Sequence, residues 1–167
     1  PGFGIPTHAE AKDVLSGAML KYARQEVLSG PVQAPRAGVE DRTTVTLLGE
    51  VFPADPVIIG RMLAPMGLAA GPVVPVREWR ELYAALDGDV VAAIHPFYTA
   101  SIREFQEAGR PIVGSAPVGL DGTDAWLSAI ADTLNVAPEA RDGVRNAMRG
   151  AIAGALSENR IKGRITL

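Results

Sequence analysis

The chain has 167 residues, enough for one ordinary domain with its own core. Hydrophobic residues make up 47% and charged residues 21%, which excludes a disordered chain, and a net charge of -3 argues against a nucleic-acid partner. There is no cysteine, hence no disulfide and no thiolate-bound cluster held by these residues alone, and no apolar run reaches the roughly 18 residues a membrane span needs; a cytoplasmic location is expected.

Thr7 and Glu10 have the spacing of a capping box and open a helix. Ala11, Val14, Leu15, Ala18, Met19 and Tyr22 then recur at helical intervals and predict its apolar face, and Gly30-Pro31 ends it. Residues 30–42, rich in Pro, Gly and charge, read as a linker. Thr43 to Leu48 is a β-branched apolar run and predicts a strand. Asp55-Pro56 is an N-cap and N1 pair for a helix striped by Ile58, Ile59, Met62, Leu63 and Met66. A second extended run, Leu68 to Val76, contains Pro72 and Pro75, which confine it to a short or edge strand. A helix carrying Trp79, Leu82, Tyr83 and Leu86 follows.

Val90 to Ile94 is continuously apolar, as a strand covered on both faces should be. Ile102 and Phe105 mark the inner side of the next helix, which stops at Gly109, and Pro111 to Gly114 is a short fourth strand. Two helices close the body, one lined by Trp126, Leu127, Ile130 and Leu134, the other by Ala140, Val144, Ala147, Met148, Ala151, Ile152 and Ala155. Strands that start roughly 20 to 25 residues apart, with a helix between each pair, predict an α/β fold. The expectation is a Rossmann-like three-layer domain, with a parallel sheet of about four or five strands and helices on both faces. Residues 43–160 form that domain in this reading. Residues 1–42 are a helix and linker from a preceding subdomain, and 161–167 the start of a strand of the next, so that the chain is an internal piece of a longer one.

Ligands of such sheets bind outside the carboxyl ends of the strands. Glu50 and Asp55 follow the first strand; they can pair as acid and base or hold a cation, or Asp55 can simply cap a helix while Glu50 is solvated. His95 follows the buried strand and can be an axial ligand or a proton donor beside a ring, or a strand-end histidine bonded to backbone. Phe97 and Tyr98, with Phe52, suit a flat wall against a large aromatic ligand, or core positions under the loop. The stretch from Ser115 to Thr123 precedes a helix and can take an anion, or can be a plain turn capped by Thr123 or Asp124. His8 reads as a surface residue. No Walker A loop, no GxGxxG after the first strand, no Ser-His-Asp spacing and no metal-ligand spacing is present, so a nucleotide site and a self-contained catalytic apparatus are poorly supported.

Several of these segments together resemble the nitrogenase-like component-one family. Thr44-Val45-Thr46-Leu47-Leu48-Gly49-Glu50 is similar to the first strand and turn of its central domain, and Leu63-Ala64-Pro65-Met66-Gly67-Leu68 to a helix end there. Glu107-Ala108-Gly109-Arg110-Pro111-Ile112-Val113 resembles the approach to a last strand. The most specific match is Ser115-Ala116-Pro117-Val118-Gly119-Leu120-Asp121-Gly122-Thr123-Asp124-Ala125-Trp126-Leu127. The strings from Gly4 to Asp13 and from Ala93 to Ser101 are most similar to the branch of the family that reduces chlorophyll-type tetrapyrroles.

The resemblance implies an oxidoreductase that reduces a tetrapyrrole ring double bond. It implies a sister subunit, a [4Fe-4S] cluster shared with it, and a separate ATP-dependent iron–sulfur reductase that delivers electrons. The family's cluster cysteines lie in an N-terminal domain, so none can be carried over here, and these residues are expected to be inactive alone. What they would contribute is part of a pigment pocket and of a subunit interface. The candidate substrate-binding residues are Glu50, Phe52, His95, Phe97, Tyr98, Ser115 and Thr123. The alternative is a stand-alone flavodoxin-like module for a small ligand, or a purely structural interaction domain.

Overall fold

The structure is a computed structural model that describes residues 4, 7–29, 42–49, 55–95, 97–114 and 116–162, with the backbone alone at 28, 29, 151, 152 and 155–162. Its elements alternate as the sequence predicts. They are α1 (His8–Ser29), β1 (Thr43–Leu48), α2 (Pro56–Leu63), β2 (Leu68–Val74), α3 (Trp79–Asp87), β3 (Val90–Ala93), α4 (Thr99–Glu107), β4 (Ile112–Val113), α5 (Gly119–Thr133) and α6 (Pro138–Lys162), with one 3₁₀ turn (Ala64–Met66) after α2. The four strands form one parallel sheet in the order β2-β1-β3-β4, with helices on both faces. This is the α/β, Rossmann-like three-layer arrangement. Of residues 161–167, expected from the sequence to start a strand, Ile161 and Lys162 instead close α6, and 163–167 lie outside the described residues.

Strand side chains alternate between two cores, as the two-residue period requires. Val45, Leu47, Val90, Ala92 and Val113 face α2, α5 and α6, where they meet Ile59, Leu63, Trp126 and Ile130. Leu48, Val74 and Val91 face α1, α3 and α4, where they meet Leu20, Leu82, Leu86 and Phe105. β2 is the edge strand that its prolines demand. Its register against β1 slips between Val45↔Ala70 and Leu47↔Val73, so one extra residue of β2 is absorbed there, around Gly71 and Pro72. Asp55 caps α2 as expected, its carboxylate accepting from the Val57 N–H at 2.8 Å, with Pro56 at the first position.

The first helix departs from its predicted face. α1 packs along α4 and α3 through Asp13, Ser16, Gly17, Leu20 and Ala23. The apolar stripe read from sequence points outward instead, with Leu15 61% and Tyr22 52% exposed. The reason is a buried carboxylate. Asp13 accepts from the backbone N–H groups of Ala100 (2.7 Å) and Ser101 (2.8 Å), the unpaired donors at the start of α4. Tyr98, the residue before that helix, offers no side-chain cap, so the cap comes from another element. Arg24 adds a second tie, to Glu104 at 2.9 Å and to Glu107. Small Gly17 lets the helices close, with Ala100 3.0 Å from where its Cβ would stand.

Two stability outcomes follow for urea unfolding of the 167-residue chain. Leu20→Ala, at a fully buried position, should cost about 2–5 kcal/mol, and Leu15→Ala should stay within about 0.5. The reverse order would mean that α1 packs on its other face. Asp13→Ala should cost about 2 kcal/mol by stranding two helix N–H donors, and Asp13→Asn should recover part of it. A loss under about 0.5 kcal/mol for Asp13→Ala would remove the cap from the account.

Candidate functional site

The strand order places a reversal between β1 and β3: the chain leaves β1 to one side to make β2 and returns to the other side to make β3. The crevice outside the carboxyl ends of two such strands is where doubly wound sheets take ligands. Gly49 ends β1 and His95 follows β3, and here they touch. A Cβ on Gly49 would stand 2.5 Å from the His95 Cβ and 2.8 Å from its backbone N, and Gly49 has a φ of +134°, so no other residue fits without displacing the histidine. The contact is held by backbone bonds, from Ile94 N–H to the Leu48 carbonyl at 2.8 Å and from Gly49 N–H to the Val74 carbonyl at 2.7 Å.

Neighbouring residues divide between supporting this edge and lining it. Tyr98 is fully buried in the core beneath α1, α3 and α4, and its ring meets His95 edge-on at 5.7 Å between centroids. Phe97 turns outward, 63% exposed, and meets the same imidazole edge-on at 5.2 Å. From behind, the buried Trp126 of α5 donates its indole N–H to the Ala93 carbonyl at 2.8 Å and fixes α5 to the last residue of β3. The Nδ1 of His95 is covered and has no hydrogen-bond partner among the described residues.

Of the candidates named from sequence, the structure brings His95, Phe97 and Tyr98 together. Thr123 lies in the first turns of α5, its hydroxyl donating to the Gly119 carbonyl at 2.6 Å. Glu50, Phe52 and Ser115 lie outside the described residues. Three exposed apolar residues on the same edge were missed. Val57 (62%) and Ile58 (55%) open α2 just after β1, and Val118 (65%) precedes α5. Ile58 was assigned to the core because it shares the helical stripe of Ile59, which is the buried one. Val118 had a signal: an apolar residue between Pro117 and Gly119, outside any periodic run, has no core to enter.

The opposite end of α4 offers a cleft of about 190 Å³ lined by Arg24, Val27, Leu86, Glu107, Ala108 and Arg110. It lies against the amino side of β4, away from the strand ends, and the Arg24–Glu107 pair occupies its polar side, so it reads as a seam between helices. On the far face of the sheet Arg145 of α6 binds Asp124 of α5 at 2.6 Å; this hydrogen bond, then the carboxylate charge, hold its guanidinium further above the ordinary arginine value. Among the described residues no group of three or more His, Cys, Asp or Glu is placed to hold a metal ion, and no helix is long and apolar enough to cross a membrane.

At this switch point the fold sets one imidazole between an exposed aromatic ring and a buried one. Residues 1–164 match the nitrogenase component 1 type oxidoreductases, and the chain belongs to that family. Among curated relatives it is 70% identical, over its whole length, to the chlorophyllide reductase 52.5 kDa chain of Cereibacter sphaeroides, and 68% identical to that of Rhodobacter capsulatus. It spans about one third of the length of each, 33% and 34%. A more distant likeness, 25% identity over 125 residues, or 74% of this chain and 29% of the relative, is to the light-independent protochlorophyllide reductase subunit N of Rhodopseudomonas palustris.

Gly49→Ala should lower the melting temperature of the chain by roughly 4–8 °C, the equivalent of about 2 kcal/mol for a domain of this size. An unchanged melting temperature in differential scanning calorimetry would show that the β1 and β3 ends do not meet as described.

Proposed function

We propose that these residues are the central domain of a chlorophyllide reductase subunit, corresponding to subunit Y of chlorophyllide a reductase, on the route to bacteriochlorophyll. The observation that carries this reading is identity of 70% and 68% along the whole chain to two proteins of that name. The parent enzyme reduces a tetrapyrrole ring double bond in the cytoplasm. Its partners are the sister subunit Z and an ATP-dependent iron–sulfur reductase, and residues 1–42 and 161–167 join the domain to its neighbours in the parent polypeptide.

In this reading the parent's [4Fe-4S] cluster is held elsewhere in the assembly, since the chain has no cysteine to offer it as a thiolate ligand. What this domain supplies is one wall of the pigment cavity. Phe97, Val118, Val57 and Ile58 present apolar surface where a flat macrocycle can displace water, and His95 is the polar group among them. Tyr98 backs the imidazole from the core, while Glu50, Phe52, Ser115 and Thr123 are further candidates on the same edge by their order in the chain.

The test is titration of chlorophyllide into the full-length subunit pair carrying Phe97→Ser. Losing a covered aromatic face of this size should weaken binding about tenfold or more. The melting temperature of the 167-residue chain should stay unchanged, because the ring is exposed in it. Undiminished affinity would remove the edge from the pigment site.

A further inference from the structure

His95 is the polar side chain set against Phe97 and Tyr98 among the described residues of the edge, and its two nitrogens differ. Among the described residues Nδ1 is covered and has no hydrogen-bond partner, whereas Nε2 is not one of the covered, unpartnered atoms of this half-buried residue. A neutral imidazole carries one proton, and the environment decides where. A covered N–H with nothing to receive it is costlier than a covered lone pair left empty. The proton therefore belongs on Nε2, and that nitrogen is a donor. A half-turn of the ring would bring a ring carbon, not the other nitrogen, to each place, so the covered position belongs to Nδ1 only in this ring orientation. Phe97 and Tyr98 stand edge-on to the ring at 5.2 and 5.7 Å.

Resting on the chlorophyllide reading above, we infer that His95 meets the bound pigment as a hydrogen-bond donor through Nε2, to an oxygen of the tetrapyrrole, and does not ligate its magnesium. Ligation through Nε2 needs its lone pair, which requires the proton on Nδ1, the nitrogen with no acceptor. Two oxygens of a chlorophyllide have the right chemistry, a ring carbonyl and the free side-chain carboxylate. Either takes the same N–H, and the histidine then fixes how the macrocycle is turned against Phe97. His95 is a substrate-orienting residue in this assignment, and no proton is transferred by it.

The experiment has two parts. In the 167-residue chain, long-range proton–nitrogen correlation of the histidine rings near neutral pH should show His95 as the Nε2–H tautomer; an Nδ1–H tautomer overturns the inference. In the full-length subunit pair, dissociation constants are measured by pigment fluorescence for chlorophyllide, its magnesium-free counterpart and its methyl ester, with His95→Ala and His95→Gln. His95→Ala should weaken the magnesium and magnesium-free pigments alike, about tenfold, and His95→Gln, which retains an N–H near the Nε2 position, should recover most of it. The same loss with the methyl ester assigns the oxygen to the ring carbonyl; a loss that vanishes with the ester assigns it to the carboxylate. A loss confined to the magnesium pigment means metal ligation, and no loss places His95 away from the pigment; both overturn the inference while leaving the chlorophyllide reading intact. Failure of the unaltered pair to bind any of the three pigments overturns both.

Discussion

At the candidate site the fold closes on a contact that leaves no room for a side chain. β1 and β3 are neighbours in the sheet, and their carboxyl ends approach until Gly49 lies against the Cβ and backbone N of His95. Everything at the candidate site inherits its position from that approach. The imidazole stands where the strand order reverses, and the ring after it turns out while the next one turns in. A bulkier residue at 49 would push the histidine off the strand ends and open the crevice to water.

Holding the edge in place is the task of elements distant in sequence. Asp13, from the first helix, caps α4 immediately after Tyr98 and so fixes the far end of the loop that carries His95 and Phe97. Trp126 reaches from α5 to the last carbonyl of β3 and fixes the near end. Between them the loop is clamped from both faces of the sheet. Both clamps are buried polar groups with satisfied partners, the condition under which such groups stabilise a fold rather than weaken it.

The alternation of strands and helices was legible because it rests on local pattern. Pro72 and Pro75 marked an edge strand, the unbroken run from Val90 marked a central one, and Asp55-Pro56 marked a helix start. The inner face of α1 was not legible. Periodicity favours Leu15 and Tyr22, but what faces inward is set by Asp13 finding the open N–H groups of a helix more than 80 residues away, which no local pattern contains. The site was half legible for the same reason. Sequence order places His95, Phe97 and Tyr98 on the carboxyl edge, yet only packing decides that Tyr98 fills the core while Phe97 is left outside. Val57 and Ile58 are not legible, because an exposed apolar side chain in a helix start resembles a core residue until its neighbours are known.

In the function proposed above, the domain is a wall that shapes a cavity for a pigment, and the cluster that supplies the electrons is held by other residues. The most direct measurement is an experimental structure of the full-length subunit pair with chlorophyllide bound. The account predicts the macrocycle within about 4 Å of the Phe97 ring, the contact distance of apolar groups, with the His95 Nε2 turned to a pigment oxygen. A pigment bound elsewhere, with the Gly49–His95 edge filled by solvent or by another part of the protein, would contradict it.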